Sequence, residues 1–389
     1  MSAAIKCIAC GADGVRPFME MERAPVFCNQ LCHTRQEALD APVAPITLGY
    51  CGGCGHVFNV RFDSKLLEYN PEYENSLHFS AHFQQYADKL VKELRATYDL
   101  DGKTVVELGC GGGAFLRSLC VGAGATGYGF DPSYPGETAE HDGVRIVRES
   151  YFDAADVPPV DLFCCRHVIE HVDSPIEFMA SIVKKLGADS GASAYLEVPN
   201  ALYTLRDGGI WDIIYEHPSY FSPTSFRRMA RAAGFSTVDV AETFSGQFLS
   251  LHAELSGSAK VNADSNSVLQ QVSELVDQFA AGYRQKVSQW KGRLDKWRGA
   301  GQRVVVWGAG SKGNSFLNVV PGADHVAQIV DINPSKHGKF VAGMGQEIVA
   351  PDSLKATPPD VVVLMNPVYV DEVRAMLAEL GLQPELLCA

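Results

Sequence analysis

The chain has 389 residues, 46% of them hydrophobic, which predicts two or three domains with substantial cores. Its net charge of −13 disfavours nucleic acid or an anionic membrane as a partner, and neither a membrane-spanning run nor a signal-peptide core is visible. The eleven cysteines, an odd number spread over predicted strands and helices, favour reduced thiols in a cytoplasm over a disulfide framework.

Two CxxC pairs predict a small metal-binding module in residues 1–70. Cys7 and Cys10 form the first pair, and Cys51 and Cys54 form the second, with 40 residues between the pairs. Each pair can place two thiolates on one ion, so the four together predict a tetrahedral, structural Zn²⁺ with no open coordination position. A module with so little core of its own would gain its stability from that metal. The alternative is that the four cysteines bind no metal.

Cys28 and Cys32 lie between the two pairs, with His33 directly after them. Their CxxxC spacing is less typical of a zinc site than CxxC. We therefore interpret them as packing or lining residues, with a second pair of ligands as the alternative.

Residues 71–100 have a helical pattern. The apolar residues that recur at intervals of three or four are Phe79, Phe83, Tyr86, Leu90 and Leu94. Polar and aromatic residues just before and at the start of this segment are candidates to cover a ligand, namely Tyr69, Tyr73, Asn75, Ser76, His78 and Ser80. A helix that merely packs on a sheet with a polar outer face is the alternative.

The segment VVELGCGGGAF, residues 105–115, predicts a buried strand, a glycine loop and the start of a helix. The glycines are Gly109, Gly111 and Gly113. Glycine lets the backbone turn sharply and lie close to a ligand, and a helix N-terminus offers unpaired N–H groups. Strand, glycine loop and helix form the opening unit of a nucleotide-binding α/β domain.

The third glycine comes one residue too early for the dinucleotide pattern G-x-G-x-x-G. Instead, Glu107 with the three glycines resembles motif I of the class I S-adenosylmethionine (SAM) methyltransferases. Eighteen residues after Gly113 a second apolar run ends at Asp131, and an acidic residue at this strand tip suits a pair of ribose hydroxyls. The resemblance implies a SAM site in which Glu107, the glycines and Asp131 contact the cofactor. The alternative is a pair of ordinary turns in another α/β protein.

Three further strands are predicted around residues 144–147, 160–164 and 194–198. Phe152 and Asp153 follow the first of them, at the place where the resemblance puts the adenine of SAM. The predicted alternation of strands and helices favours an α/β fold with a largely parallel sheet.

The turn after residues 160–164 contains the sequence CRHVIEH. Its Glu-His pair is similar to a motif of many SAM methyltransferases, which implies that Arg166 and His167 lie near the methionine end of the cofactor. His171 is a candidate for contact with the substrate. A surface or core histidine is an equally good interpretation of His171.

Residues 211–222 contain an unusually dense set of aromatic and ionisable side chains, including Tyr215, Glu216 and His217. A histidine can remove a proton near neutral pH, a carboxylate can orient it, and a tyrosine can donate to an oxyanion. Such a set suits abstraction of an acidic proton beside a carbonyl group, after which the carbanion equivalent takes a methyl group. A structural network that supports a substrate loop is the alternative.

The order of these features resembles, over essentially the whole chain, the zinc-containing C-methyltransferases that act on nucleotide-linked keto-sugars. That family carries a Tyr-x-Glu-His motif with the histidine as general base. Glu216 and His217 match it, whereas Tyr215 stands one position nearer the glutamate. Gln247 lies in a segment similar to one near the family's substrate. The sequence PVFCNQLC, residues 25–32, differs from the usual pattern, so another acceptor remains open.

Residues 265–299 predict a long connecting helix, because apolar residues repeat at three- or four-residue intervals between Leu269 and Trp297. A coiled coil with a partner is the weaker alternative, since Gly282 and Gly292 lie inside the helix.

Residues 300–389 predict a second Rossmann-like domain. Its glycine loop fits G-x-G-x-x-G through Gly308, Gly310 and Gly313, and Asp331 follows eighteen residues later. Taken alone, this pattern predicts an NAD site. In the resembling family, however, this domain helps to hold the substrate, which implies that Lys312 and the loop amides receive a phosphate or another anion. A purely structural domain is the alternative.

The sequence thus predicts an α/β fold with a zinc-binding module (1–70), a class I methyltransferase domain (71–264), a connecting helix (265–299) and a Rossmann-like substrate-binding domain (300–389). The predicted function is SAM-dependent C-methylation of an enolisable small molecule. The alternatives are an O- or N-methyltransferase, an NAD-dependent oxidoreductase and a non-enzymatic zinc-ribbon binding module. Whether the protein is a monomer or a dimer is left open.

Overall fold

The computed structural model describes residues 5–67, 74, 76–134, 136, 138–155, 157–236, 238–256 and 266–389. Within them the chain forms seventeen strands, which are β1 Arg16–Pro25, β2 Val43–Tyr50, β3 Val57–Asn59, β4 Thr104–Leu108, β5 Thr126–Phe130, β6 Ala139–His141, β7 Val144–Val147, β8 Leu162–Arg166, β9 Ser193–Pro199, β10 Ser219–Tyr220, β11 Val238–Thr243, β12 Phe248–Glu254, β13 Val304–Trp307, β14 Gln328–Val330, β15 Ile348–Val349, β16 Val361–Leu364 and β17 Glu385–Cys388.

The same residues form nine α-helices besides short 3₁₀ turns. The helices are α1 Arg35–Leu39, α2 Ala81–Tyr98, α3 Ala114–Cys120, α4 Pro175–Leu186, α5 Ala201–Arg206, α6 Pro223–Ala233, α7 Asn266–Gly299, α8 Ser311–Val319 and α9 Val370–Glu379. No helix of the described residues has the length and apolar character needed to cross a membrane.

The N-terminal sheet has the order β1-β2-β3-β10 and is antiparallel. Its fourth strand comes from far along the chain: Ser219 pairs with Phe58, and Tyr220 pairs with Val57. The segment that carries Glu216 and His217 is therefore anchored on the N-terminal module. The predicted domain boundary at residue 70 stays a prediction, because residues 68–73 lie outside the described part of the chain.

The central sheet has eight strands in the order β11-β12-β9-β8-β4-β5-β7-β6. Strands β7, β5, β4, β8 and β9 are parallel, in the 3-2-1-4-5 order of a doubly wound nucleotide-binding sheet. β12 runs antiparallel between β9 and β11, and β6 forms a short hairpin with β7 that the sequence did not predict. In this arrangement the carboxyl ends of the parallel strands, and the loops that follow them, meet at one edge.

The helix predicted over 71–100 begins later, at Ala81. Ser80 is its N-cap, since its side chain accepts a hydrogen bond from the N–H of Phe83. Phe79 therefore lies outside the helix and is 48% exposed. Of the residues suggested to cover a ligand, Tyr69, Tyr73 and Asn75 lie outside the described residues.

The C-terminal sheet has the order β15-β14-β13-β16-β17, and all of its strands are parallel. This is again a 3-2-1-4-5 order, with the glycine loop directly after the central strand β13.

Helix α7 lies between the central and the C-terminal sheet in the chain and buries an apolar stripe that includes Val276, Phe279, Trp290 and Leu294. These residues belong to one hydrophobic cluster with the N-terminal sheet, the C-terminal sheet and Trp211. The loop from Trp211 to Tyr220 is thus packed between the N-terminal module and the C-terminal sheet.

Candidate active site

The glycine loop after β4 has positive φ angles at Gly109, Gly111 and Gly113, of 71°, 51° and 75°. A Cβ atom at Gly109 would collide with Val168, and one at Gly113 would collide with Ile146. At Gly111 a Cβ would meet nothing within 4 Å. Packing therefore requires two of the glycines, and the backbone of the third is open to an approaching ligand.

Asp131 follows β5 directly and is 9% exposed. Its Oδ2 accepts a hydrogen bond from the N–H of Gly111 at 2.8 Å, and its Oδ1 accepts from the N–H and the hydroxyl of Ser133 at 2.8 and 2.6 Å. The carboxylate is thereby fixed beside the open glycine. This is the place at which the sequence predicts the ribose contact.

Glu107 lies inside β4 and is 3% exposed. Its carboxylate accepts a hydrogen bond from the N–H of Leu116 in α3, and burial raises its pKa to about 7 against the opposing charge of Arg166. Glu107 thus joins the strand to the helix beneath the glycine loop. Its predicted contact with the cofactor stays a prediction.

Phe152 and Asp153 lie in the turn after β7. The ring of Phe152 packs at 5.4 Å from that of Phe178 in α4. Asp153 is exposed, and its N–H donates to the carbonyl oxygen of Ser150 at 3.1 Å. Both residues are on the carboxyl side of the sheet, as a contact with adenine requires, and that contact is untested.

Glu197, in the second half of β9, is the centre of a buried polar cluster that we did not predict from the sequence. Its carboxylate accepts from Arg166 and from Tyr195, both at 2.8 Å, and also from the hydroxyl of Tyr86. Burial would raise the pKa of Glu197, but the charges of Arg166 and His167 hold it well below its ordinary value. The signal in the sequence was a lone charge inside the apolar strand AYLEVP.

His167 lies between two carboxylates. Its Nε2 is 3.0 Å from Glu197 Oε1, and its Nδ1 is 3.5 Å from Glu170 Oε1. Burial alone would lower the pKa of His167, but these carboxylates raise it to about 9. His167 is therefore a cation at neutral pH. Together with Arg166, whose guanidinium lies 4.2 Å over the ring of Phe115, it balances the charge of Glu197.

A cavity of about 280 Å³ lies between the carboxyl edges of the central and C-terminal sheets. Polar residues of the central part of the chain that line it include Asn200, Asp212, His217, Tyr220 and Gln247. Those from the C-terminal part include Lys312, Asp331, Asn333, Lys336 and Asn366. The structure thus brings together His217, Gln247 and Lys312, which the sequence predicted separately.

His217 lines this cavity, and its ring centroid is 4.6 Å from that of His171, at an angle of 85°. Burial, together with the charges of His171, His167 and Lys312, lowers the pKa of His217 well below its ordinary value. His217 is therefore neutral at pH 7, which is the form that accepts a proton.

Glu216 and Tyr215 point toward the N-terminal module. Oε2 of Glu216 accepts a hydrogen bond from the N–H of Cys28 at 2.8 Å, and the hydroxyl of Tyr215 accepts one from the N–H of Asp63 at 2.9 Å. Tyr215 is absent from the described residues that line the cavity. Its predicted oxyanion role stays a prediction. In the structure its hydroxyl is hydrogen-bonded to Asp63 of the N-terminal module.

Gln247 pairs with Asn366 through two amide hydrogen bonds of 3.2 and 3.0 Å, which join the central part of the chain to the C-terminal sheet across the cavity. Lys312, in the first turn of α8, forms an ion pair with Asp212. Asp331 accepts from the N–H of Ala309 at 2.8 Å, much as Asp131 does from its own glycine loop.

Two family models match the chain. A methyltransferase-domain model matches residues 79–240, and a model of the C-methyltransferase C-terminal domain matches residues 258–383. Together the two matches identify the protein as a SAM-dependent methyltransferase. The second match places the G-x-G-x-x-G loop in a C-methyltransferase C-terminal domain. The alternative of an NAD-dependent oxidoreductase is therefore not supported.

Two curated proteins are similar to parts of the methyltransferase. A ubiquinone biosynthesis O-methyltransferase from Thiobacillus denitrificans is 29% identical over 162 residues, which are 36% of this chain and 68% of that protein. A 2-ketoarginine methyltransferase from Streptomyces arginensis is 42% identical over 73 residues, or 18% of this chain and 21% of that protein. The second match thus spans about a fifth of its relative.

Solved structures of methyltransferases give weaker likenesses. A magnesium protoporphyrin IX methyltransferase from Synechocystis with bound SAH is 23% identical, with a TM-score of 0.33, over 44% of this chain and 83% of that one. A SAM-dependent methyltransferase from Aquifex aeolicus is 16% identical, with a TM-score of 0.35, over 48% of this chain and all of that one. These scores are too low to carry an argument, and the strand order itself establishes the class I fold of the methyltransferase.

The four CxxC cysteines of the methyltransferase converge. Sγ of Cys7 is 3.6 Å from that of Cys54, Sγ of Cys10 is 3.6 Å from that of Cys51, and all four sulfur atoms lie within 4.8 Å of one another. A tetrahedral Zn²⁺ with Zn–S bonds of about 2.3 Å requires sulfurs roughly 3.8 Å apart. The four thiols therefore fit a zinc ion.

Cys28 and Cys32 are buried outside this cluster. The N–H of Cys28 donates to Glu216, and the carbonyl oxygen of Cys32 accepts from the N–H of Phe340 at 2.9 Å. Through these two bonds, the segment between the two CxxC pairs contacts the loop that carries Glu216 and His217, and also the C-terminal part of the methyltransferase.

Proposed function

We propose that this methyltransferase transfers a methyl group to a carbon atom beside a carbonyl group of an anionic small molecule. The observation that carries the proposal is that His217 and the C-terminal glycine loop line one cavity of about 280 Å³. One wall offers a proton acceptor, and the other offers cationic and amide donors. An enolisable acceptor with an anionic group needs both.

His217 is proposed as the general base. It is neutral because burial lowers its pKa, so it can take a proton from the acceptor at neutral pH. Glu216 and Tyr215 are proposed to position His217. Their hydrogen bonds to Cys28 and Asp63 fix the loop that carries it. His171, beside His217, is proposed to complete this wall.

SAM is proposed to lie along the glycine loop, with its ribose on Asp131. The support is the open face of Gly111 and the carboxylate fixed beside it. Bound SAM supplies an electrophilic methyl group on a sulfonium ion. The other proposed cofactor contacts are Glu107, Gly109, Gly113, Phe152, Asp153, Arg166 and His167.

The acceptor is proposed to be a nucleotide-linked keto-sugar or a related keto compound. Lys312 and the amides at the start of α8 are suited to an anion, because a helix N-terminus attracts negative charge. Lys312 is already paired with Asp212, so an incoming phosphate or carboxylate would compete with that carboxylate. The 2-ketoarginine methyltransferase, by its name, acts on a keto compound, which supports an enolisable acceptor here.

We also propose that Cys7, Cys10, Cys51 and Cys54 hold one structural Zn²⁺. The support is the approach of the four sulfurs to tetrahedral spacing.

The decisive experiment is an acceptor screen with SAM that carries a ¹³C-labelled methyl group. The panel consists of nucleotide-linked 4-keto-sugars, 2-keto acids and phenols, with mass spectrometry to detect transfer and NMR to locate the methyl group. A C-methylated keto product supports the proposal. A methyl group on oxygen overturns it and favours an O-methyltransferase, the activity named for the similar ubiquinone biosynthesis enzyme.

A further inference from the structure

We propose that Glu170, His171 and His217 hold one water molecule that carries the acceptor's proton from His217 into the protein. The inference rests on the proposed function and adds two residues to it: His171 as a relay and Glu170 as the terminal acceptor. It begins from the convergence of these three side chains beside the cavity.

The three groups come from two separated segments. Glu170 and His171 lie in a 3₁₀ turn after β8, and His217 lies in the loop before β10. One ligand atom from each lies within 4.8 Å of the other two. Hydrogen bonds join heavy atoms about 2.7–3.2 Å apart, so three groups that all lie within 4.8 Å of one another are close enough to share a single water.

Glu170 supplies an independent sign that a donor belongs there. It is 1% exposed, and its Oε2 has no hydrogen-bond partner among the residues the structure describes. Its other oxygen, Oε1, faces His167 at 3.5 Å. A buried carboxylate oxygen without a donor is costly, and an ordered water is the usual remedy when the site is polar.

The ring of His171 is held in place by a hydrogen bond to the backbone. One of its ring nitrogens donates to the backbone carbonyl of Glu216, the residue next to His217. That bond fixes the ring, and in the neutral imidazole the other nitrogen carries no hydrogen, so toward a water it acts as an acceptor.

The proton balance is closed by these groups. The C–H bond of the acceptor breaks, its electron pair stays on the acceptor as an enolate, and the proton passes to His217. His217 then releases the hydrogen of its other ring nitrogen to the water, which passes a proton to His171 or to the carboxylate of Glu170. His217 is neutral again, and the proton is later released to solvent while the enolate carbon takes the methyl group.

A divalent cation is the competing occupant of the same space, since the donor set is of a kind that binds metals. The surrounding charges disfavour it. His167 is cationic and adjoins Glu170, and Lys312 acts on His217 from the far side of the cavity, with Asp212 as its counter-ion. The single carboxylate of Glu170 is thus already balanced by a neighbouring cation.

A crystal structure of the full chain with S-adenosylhomocysteine tests the occupant directly, without any acceptor. The proposal expects a water peak within about 3.2 Å of Glu170 Oε2 and of one nitrogen from each histidine. An anomalous scattering peak of a metal at this point, or histidines turned away from Glu170, overturns it.

Kinetics with a panel member that is methylated test the relay itself. Glu170→Gln and His171→Ala are expected to lower kcat with little change in the KM for SAM, by less than the roughly 10²–10⁴-fold expected for loss of the base. Added imidazole should restore turnover of His171→Ala in proportion to its free-base concentration. His252→Asn, a matched control at a histidine bonded to Tyr98, should behave as wild type.

The two proposals fail in different ways. If wild type gives no C-methylated product, the proposed function fails. If wild type gives that product, and His171→Ala is either fully active or unresponsive to imidazole, the relay alone fails.

Discussion

Glu216 Oε2 accepts a 2.8 Å hydrogen bond from the backbone N–H of Cys28, which lies 188 positions earlier in the chain. Both residues are buried, and burial together with the Glu216 charge raises the pKa of the Cys28 thiol. The residue next to the proposed base is thus held by the N-terminal module. Damage to this bond should disturb the folded state as well as the cavity.

Glu216→Ala should destabilise the protein by about 1–3 kcal/mol, because it leaves the buried N–H of Cys28 without its acceptor. Thermal unfolding followed by circular dichroism measures the change. Glu242→Ala, at an exposed glutamate paired with Arg206, should change the stability by less than about 1 kcal/mol. Equal melting curves for Glu216→Ala and wild type would show that this hydrogen bond does not contribute to the stability of the folded state.

Asp131→Ala should weaken SAM binding, because each charge-assisted hydrogen bond to the ribose contributes roughly 1.5–3 kcal/mol. Isothermal titration calorimetry with the full chain measures the affinity. Asp331→Ala is a matched control, since Asp331 holds the second glycine loop through the N–H of Ala309. Loss of SAM affinity in the Asp331 variant, with none in the Asp131 variant, would move the cofactor to the C-terminal domain.

Zinc should be present at one ion per chain in protein purified without a chelator. Cys7→Ser with Cys51→Ser removes one sulfur from each CxxC pair and should abolish that zinc, as measured by plasma emission spectrometry. Cys28→Ser with Cys32→Ser should retain it, because those thiols lie outside the four-sulfur cluster. Full zinc occupancy in the first double variant would place the metal elsewhere.

His217→Asn should lower turnover by about 10²–10⁴-fold, the usual effect of losing a general base. SAM affinity should be unchanged, because His217 lines the proposed acceptor cavity, whereas SAM is proposed to bind at the glycine loop of residues 109–113. Wild type should also exchange the acceptor's α-proton with deuterated solvent in an NMR assay, and the variant should not. Near-normal turnover of the variant would show that another group is the base, and His171, whose pKa burial lowers, would be the next candidate.

His167 should give the free energy of unfolding a distinct pH dependence. Its folded pKa of about 9 lies above its ordinary value of 6.5, so the folded state binds the proton more tightly than the unfolded state does. This contribution is complete below pH 6.5 and is lost as the pH rises toward 9, with a slope of up to about 1.4 kcal/mol per pH unit.

Urea unfolding between pH 6.5 and 9 should therefore show a shallower loss of stability in His167→Gln than in wild type. His141→Gln, at an exposed histidine, should leave the slope unchanged. Parallel curves for His167→Gln and wild type would mean that His167 is not held as a cation.

The sequence by itself determined the elements whose cause is local. A glycine loop between an apolar run and a helix predicted both nucleotide-binding units, since β4 with α3 and β13 with α8 each depend on a few adjacent residues. The strand predicted at residues 144–147 has those bounds in the structure, and the helix predicted over 265–299 extends over Asn266–Gly299. The same patterns predicted the α/β fold, and their resemblance to motif I implied a SAM-dependent methyltransferase; both are confirmed.

Only the tertiary structure decided which distant side chains meet. The sequence placed Glu216 beside His217, but a peptide neighbour need not be a side-chain neighbour, and the Glu216 carboxylate contacts Cys28 instead. Glu197 is one charge in an apolar strand until Arg166, Tyr86 and Tyr195 surround it. Side-chain partners separated by many residues depend on the order of strands and the packing between sheets, and no local pattern encodes either.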